Sequence, residues 1–354
     1  MGISTAKFAG RLLERRRRGK IIAISRVDAV ERHNDAIRAS PVGDISPSQK
    51  KIIREYGADV FGSAIHADWL IAFAVARGEF LPGWIPPSYY LGVLLPHWQN
   101  HGLIGAKSLS RRFIVSDAMP DIAYFARGSW LDRNFAPVDP KSLKKSLFAD
   151  NDHVYVKTDM GAFGKEVLRV KKDDFEVLAL ERLGRLVVQK PVVQHAYFDQ
   201  MGTDNVATVR FTTVKSTGAA AKALASFLRV GRSGFDILVD RQSVEIGIMD
   251  DRGTLGEFGL SLNTWKKIRT HPDSGFRFSG MVLPGFKIAS KLCETLHDKI
   301  PHLTIVGWDL VIDEAEKPQV IELNTQGPGI KSSQVLVGPV FAGLGWEDVW
   351  KKPR

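Results

Sequence analysis

Two short apolar runs, Gly307-Trp308-Asp309-Leu310-Val311-Ile312 and Pro318-Gln319-Val320-Ile321-Glu322-Leu323-Asn324, are separated by the five residues Asp313 to Lys317. Runs of this length around a charged turn read as the two antiparallel strands of a hairpin. Each carries an acidic residue where an apolar one is expected. Side chains alternate faces along a strand, so Glu322 and Asn324 share a face. Asp309 falls beside them in an antiparallel pair. Two carboxylates and an amide oxygen suit a hard divalent cation such as Mg2+, which takes oxygen ligands and bridges substrate phosphates. Without a cation, two half-buried carboxylates this close repel. Standing alone, the pattern is better read as an ordinary hairpin with one acidic edge.

Two upstream segments reverse that preference. Val154-Tyr155-Val156-Lys157, a loop containing Gly161 and Gly164, and Val167-Leu168-Arg169-Val170 read as strand, glycine loop, strand. A lysine ending a buried strand is uncommon unless its charge is paired. Glycines beside it let backbone N–H groups approach an anion closely. Lys157 as a phosphate ligand and 158–165 as a lid are mutually consistent; a hairpin with a surface lysine is the equal alternative. In Leu186-Val187-Val188-Gln189-Lys190-Pro191-Val192-Val193 an apolar strand runs into a polar pair and a proline. Pro191 has no N–H and stops ladder pairing, which frees backbone groups of the kind an adenine edge needs. Alone, this segment reads as the edge of a connecting strand.

In this order, the chain resembles the ATP-grasp superfamily, and within it the sugar-transfer-associated branch. The residues carrying the narrower resemblance are Gln189-Lys190-Pro191-Val192-Val193-Gln194-His195, Asn205 to Thr213, His271-Pro272-Asp273-Ser274-Gly275 and Gly307-Trp308-Asp309, within a match running from Lys107 to Pro339. The resemblance implies an α/β (α+β) ATP-grasp fold, two α+β subdomains sandwiching ATP, after a mostly helical N-terminal region. It implies that Lys157 holds the phosphates under the loop of Gly161 and Gly164. Gln189, Lys190 and Val192 are implied to belong to the adenine hinge, and Arg210 to face the γ-phosphate or an acyl-phosphate. Asp309, Glu322 and Asn324 are implied to ligate Mg2+. The chain departs from the family in having Gln189 where a glutamate is usual. It also has Asp240 to Gly247 where relatives carry an asparagine and a Gly-Gly pair, on the acceptor side.

At 354 residues the chain is long enough for two or more domains. The expected organisation is a helical region over 1–105 with a break at Pro41 and Pro47, a small α/β segment over 106–150 with strands near Arg112–Val115 and Ile122–Ala126, and a catalytic core over 151–345. The aromatic stretch 56–105 reads as core or docking surface rather than a sugar-binding stripe. Cys293 is the only cysteine, which excludes a disulfide framework within the chain. It sits in a helical pattern with Ile288, Leu292 and Leu296 on one face, as a packed thiol.

The net charge is +10, a balance that favours a polyanionic ligand or surface. No nucleic-acid module is visible. No apolar run reaches the about 20 residues that span a bilayer. The N-terminus lacks a signal-peptide core, and Ala6 breaks a myristoylation motif at Gly2. The expectation is a cytoplasmic protein. The run Arg15 to Arg18 with Lys20 reads as a solvated helical face; contact of residues 8–20 with anionic lipid is the alternative.

Phosphate-loop, dinucleotide-binding, HExxH and GxSxG motifs are all missing. The expected activity is an ATP- and Mg-dependent ligase joining a carboxylate to an amine through an acyl-phosphate, in glycan (polysaccharide) or secondary-metabolite biosynthesis. A kinase-like phosphotransferase acting on a hydroxyl and a non-catalytic nucleotide-binding protein of a glycan-assembly complex are the alternatives. Arg229, Arg232, Arg241, Lys266, Lys267, Arg269 and Arg277 point to an acidic small-molecule or sugar-linked acceptor. No sequence feature specifies an oligomeric state.

Overall fold

The computed structural model describes residues 2–41, 43–98, 105–159, 167–238 and 242–352, with side chains from Arg16 onward. They form two compact units, one of residues 1–99, 264–268 and 329–354, the other of residues 100–263 and 269–328.

The first unit is helical. Helix α1 (Gly2–Ala39) ends just before Pro41, and α2 (Pro47–Phe61) starts at a capping box in which Ser46 and Gln49 satisfy each other's backbone N–H groups. Pro47 sits in the first turn, where a missing N–H costs nothing. Gly62 closes α2 at φ 73°, with the Trp350 ring where a Cβ would stand. Helix α3 (Ala67–Arg77) is apolar nearly all round and forms the centre of the unit. The aromatic stretch belongs to this core: Trp69, Trp84, Tyr89 and Tyr90 are buried. Gln334 ties the C-terminal segment into it. Its carbonyl accepts from Trp84 Nε1 at 3.0 Å, its Oε1 accepts from Ile85 N at 2.7 Å, and its Nε2 donates to Ile85 O at 2.9 Å.

The second unit holds the strands that build the site. Its first sheet contains β1 (Asp121–Ala126), β2 (Ser129–Asp132), β3 (His153–Thr158), β4 (Val167–Lys171) and β5 (Leu186–Gln189), in the order β2-β1-β5-β3-β4 and antiparallel throughout. Val154, Val156, Leu186 and Val188 bury one face with Leu143, Leu147 and Phe148. Its second sheet contains β6 (Thr208–Val214), β7 (Lys222–Val230), β8 (Val244–Ile248), β9 (Leu255–Ser261), β11 (Ile305–Ile312) and β12 (Pro318–Asn324), in the order β9-β8-β7-β6-β11-β12. Strand β10 (Lys266–Ile268) lies in the segment that belongs to the helical unit.

Two expectations are corrected. Arg112–Val115 is no strand: residues Lys107–Ile114 form a helix burying Ser108, Ser110 and Ile114. The β-prone letters Phe113, Ile114 and Val115 are overridden by that packing, as strand propensity readily is. The helix Phe286–Asp298 does bury Cys293, but through the face of Phe286, Ala289, Leu296 and His297, and Ile288 is exposed. Beneath β6 and β11 a hydrogen-bond chain fixes this helix. Trp308 Nε1 donates to Thr213 Oγ1 at 2.7 Å, Thr213 Oγ1 lies 2.7 Å from His297 Nδ1, and His297 Nε2 lies 2.9 Å from the Leu303 carbonyl. That carbonyl only accepts, so Nε2 carries the proton and Nδ1 receives the threonine hydroxyl.

Candidate nucleotide and metal site

The hairpin β11–β12 has the register the sequence suggests: Asp309 stands opposite Glu322, and Gly307 opposite Asn324. On the other side of β11, Asp309 stands opposite Arg210 of β6. Glu322, Asp309 and Arg210 therefore form one row across three adjacent strands. Arg229 of β7 stands opposite Thr208, two residues from Arg210, and Glu245 of β8 opposite Arg229. All of these side chains point to one face of the sheet.

Arg210 and Asp309 make a buried two-point ion pair, Nε to Oδ1 at 2.5 Å and Nη2 to Oδ2 at 2.7 Å. Asn324 Nδ2 also donates to Asp309 Oδ2, at 3.1 Å. Burial raises the Asp309 pKa, but the charge and hydrogen bonds of Arg210, with Arg229 and Lys157 beyond, hold it below the usual carboxylate range. Burial works against the Arg210 charge, and Asp309 outweighs it, leaving that pKa raised. Gly307 makes room for this arrangement. A Cβ there would lie 2.7 Å from Pro328 Cβ, 3.3 Å from Asn324 Cβ and 3.5 Å from Arg210 Nη1.

Strand β12 bulges once. Its partners on β11 jump from Glu322 to Val320, so Ile321 is the extra residue. The carbonyl of Ile321 turns to the first sheet, where Lys157 Nζ donates to it at 2.9 Å and Gln189 Nε2 at 3.1 Å. Gln189 Nε2 also donates to Asp121 Oδ1 at 2.8 Å, and Tyr124 Oη to Asp121 Oδ2 at 3.0 Å. Burial raises the Asp121 pKa against these bonds, and lowers that of Lys157 against the nearby charges of Glu322 and Asp121. Lys107, at the start of its helix, reaches to 3.7 Å from Glu322 Oε1. That helix start is pinned by Asp159, which accepts from Ser108 N at 2.8 Å and Ser108 Oγ at 2.9 Å and pairs with Arg185 at 3.3 Å. A small cavity lies among Lys107, Lys157, Gln189, Ile321 and Glu322.

The sequence-predicted residues are distributed as follows. Lys157, Gln189, Asp309, Glu322, Asn324 and Arg210 come together around the bulge and the charged row. The hinge residues Lys190 and Val192 continue from β5, and Lys190 N is already taken by the Pro120 carbonyl at 3.0 Å. Gly161, Gly164 and the rest of 160–166 lie outside the described residues, as does Arg241. Of the basic residues read as an acceptor supply, Arg229 pairs with Glu245 at 2.5 Å and Arg232 with Asp273 at 2.6 Å. Arg269 is bound by Glu257, and Lys267 donates to the Arg77 carbonyl at 3.0 Å. His271 bonds the Gly231 carbonyl at 2.8 Å, and His195 Nδ1 accepts from Tyr197 N at 3.0 Å. Both histidines organise loops. Asp121, Asp159 and Glu245 were not anticipated. An acid at the mouth of an apolar strand, three residues before a tyrosine, is the only signal for Asp121.

The donor set fits a hard cation. Two carboxylates and an amide on one face are all oxygen-bearing, and among the described residues no group of three or more His, Cys, Asp and Glu is placed to bind a metal by itself. Asp309 Oδ2 accepts two bonds, whereas Oδ1 accepts one from Arg210 and keeps a lone pair for a ligand. Among the described residues no helix is long and apolar enough to cross a membrane.

A search of curated proteins finds no match to the chain. Several solved structures are similar at low levels. An N5-carboxyaminoimidazole ribonucleotide synthetase in complex with ADP is 10% identical, over 66% of this chain and 49% of that one, with a TM-score of 0.39. The biotin carboxylase domain of the Hydrogenobacter thermophilus 2-oxoglutarate carboxylase is 13% identical, over 67% and 45%, at 0.39. A D-alanine–D-alanine ligase from Bacillus anthracis is 13% identical, over 71% and 66%, at 0.39. The chain spans about half the length of the first two. The family model of sugar-transfer associated ATP-grasp proteins matches residues 149–344, more than half of the sequence and the part that carries Lys157, Arg210 and the β11–β12 hairpin. The chain belongs to the sugar-transfer associated ATP-grasp family.

Proposed function

We propose that this protein is an ATP- and Mg2+-dependent ligase that activates a carboxylate as an acyl-phosphate and joins it to an amine. The observation that carries the reading is the row Glu322, Asp309, Arg210 across adjacent strands, with Lys157 presented to it from the other sheet.

Adenine would lie along the hinge of Gln189, Lys190 and Val192, read through backbone groups. Lys157 would leave the Ile321 carbonyl for the nucleotide phosphates, joined by Lys107. Mg2+, held by Asp309, Glu322 and Asn324, would neutralise charge building on the β- and γ-phosphates. Arg210 already has its guanidinium fixed by two bonds to Asp309, so little ordering is left to do when a transferred phosphoryl group arrives. Arg229, held by Glu245 on the same face, would be the candidate to meet the substrate carboxylate with the donors that pairing leaves over. A carboxylate oxygen attacks the γ-phosphorus and ADP leaves. The amine then attacks the acyl carbon, phosphate leaves, and a proton is lost from nitrogen. The loop 158–165 would exclude water during the lifetime of the acyl-phosphate.

Incubation with Mg-ATP and a pool of carboxylates and amines, followed by mass spectrometry, tests the reading. ADP, phosphate and a new amide are expected. A phosphorylated acceptor without free phosphate would replace the ligase by a kinase-like enzyme, and absence of acceptor-dependent turnover would leave only nucleotide binding. Glu322→Gln is expected to lower turnover by about a hundredfold or more with an unchanged melting temperature. Near-normal turnover in that folded variant removes Glu322 from the metal site.

A further inference from the structure

Helix α1 has two unlike faces. Ser25, Ala29 and Ala36 point into the helical unit, where Trp69 Nε1 donates to Ser25 Oγ at 2.9 Å. Arg18 follows the same side, its Nε donating to the Gly92 carbonyl at 2.7 Å. On the opposite side, at three- and four-residue spacing, run Arg16, Lys20, Ala23, Ile24, Val27 and Val30, all exposed. Ile24 and Val27 are each 61% exposed and Val30 is 50% exposed. A side chain on the outside of a helix is ordinarily polar, and single exceptions need no account. Three β-branched apolar side chains in consecutive turns, continuing a run of exposed cations, are a pattern.

We propose that this face of α1 is a docking surface for a lipid bilayer with anionic headgroups. Charge complementarity selects that occupant. Arg16, Arg17 and Lys20 are exposed at one end of the stripe, on a chain of net charge +10. From Arg16 to Val30 the face is about 21 Å long at the helical rise. Laid flat on the headgroup layer, the helix sinks Ile24, Val27 and Val30 to the acyl boundary. The cations, on long flexible stems, reach the lipid phosphates. The stripe ends where Glu31 and Asn34 take over the outer face. Neither cations nor apolar side chains would suffice alone: the first are screened by salt, and the second present a small area.

The full chain is sedimented with vesicles of neutral phosphatidylcholine and with vesicles containing one anionic phospholipid in three. Binding to the anionic vesicles alone is expected, weakening as salt rises. The variant Ile24→Asp/Val27→Asp is expected to lose at least tenfold in apparent affinity, and Arg16→Glu/Lys20→Glu to lose as much. Both pairs are exposed, so an unchanged melting curve is the control for folding. Cys293 is fully buried, so Ala23→Cys is labelled selectively by an environment-sensitive dye, whose emission is expected to shift to the blue on anionic vesicles. Failure of the wild type to bind anionic vesicles overturns the proposal. So does unchanged binding by the aspartate variant, which would mean electrostatic adsorption of the basic run without insertion. A concentration-dependent self-association without vesicles, abolished by Ile24→Asp/Val27→Asp, would assign the face to a second copy of the chain and equally overturn it.

Discussion

Arg210 and Asp309 face each other across β6 and β11 and are joined by two hydrogen bonds in a setting that excludes most solvent. Removing one partner leaves the other charge buried and unpaired, which costs about 3–5 kcal/mol, whereas removing both costs much less. Arg210→Ala and Asp309→Ala are each expected to lower stability by amounts of that order. The double variant is expected to fall well short of their sum in urea unfolding. Additive losses would mean that the pair does not hold the sheet.

Lys157 and Arg210 are expected to separate kinetically. Lys157 already has a neutral partner, the Ile321 carbonyl, and would meet phosphates in bound ATP. Lys157→Ala should raise KM for ATP and leave kcat comparatively intact. Arg210→Lys keeps the charge but loses the planar fork that grips Asp309. It should bind ATP almost normally and turn over about a hundredfold more slowly. The opposite split in steady-state kinetics would exchange the two roles.

Gly307→Ala puts a methyl group 2.7 Å from Pro328 Cβ and 3.3 Å from Asn324 Cβ. Relief requires Pro328 or Asn324 to move, and Asn324 is a proposed metal ligand. A rise in the Mg2+ concentration needed for half-maximal turnover is expected, at a stability cost of about 1–3 kcal/mol. An unchanged Mg2+ dependence would show that the strain is relieved through Pro328 alone.

His66 supplies a pH dependence in the helical unit. Burial, with the Arg26 charge adding to it, lowers its pKa from 6.5 to about 4. Between those values the unfolded chain takes a proton that the folded chain refuses. Stability is therefore full above about pH 6.5 and falls as the pH drops toward 4, by about 3 kcal/mol. His66→Gln is expected to flatten this slope in melts recorded from pH 7 to pH 4. Parallel curves for the two proteins would exclude His66 as the source.

Much of the site was readable because period-two alternation fixes which side chains share a face. Glu322 and Asn324 share a face on that ground, Asp309 falls beside them once the two runs are paired antiparallel, and the hairpin register agrees. The bulge at Ile321 was not readable. One extra residue in an apolar strand leaves no mark on the pattern, yet it aims a carbonyl at Lys157 and Gln189. Asp121 and Asp159 were missed for a related reason: their partners, Gln189 and Ser108, lie 68 and 51 positions away. The pairing of the basic residues from Arg229 onward was hidden in the other direction. Counted along the chain they form a reservoir for an acidic ligand. In space, acids at 245, 257 and 273 hold three of them. The strand expected over Arg112–Val115 failed because four β-prone or charged letters say little about a segment whose helix start is held by a distant aspartate.

The Ile321 carbonyl is, in effect, a ligand that the chain supplies to itself. While it holds Lys157, no unpartnered ammonium is left buried in the cleft, so the nucleotide-free protein is spared the penalty of a bare internal charge. If Lys157 holds phosphate as proposed, the same bond would be given up when a phosphate arrives. Free phosphate or pyrophosphate, with only the phosphate side to offer, would compete with that carbonyl at a disadvantage. On the proposed function, a nucleotide would bring the hinge contacts as well, and so could displace it. The bulge would then act as an internal competitor that weakens the hold of Lys157 on nucleotide and fragment by the same cost, so that a ligand without hinge contacts would have less affinity left.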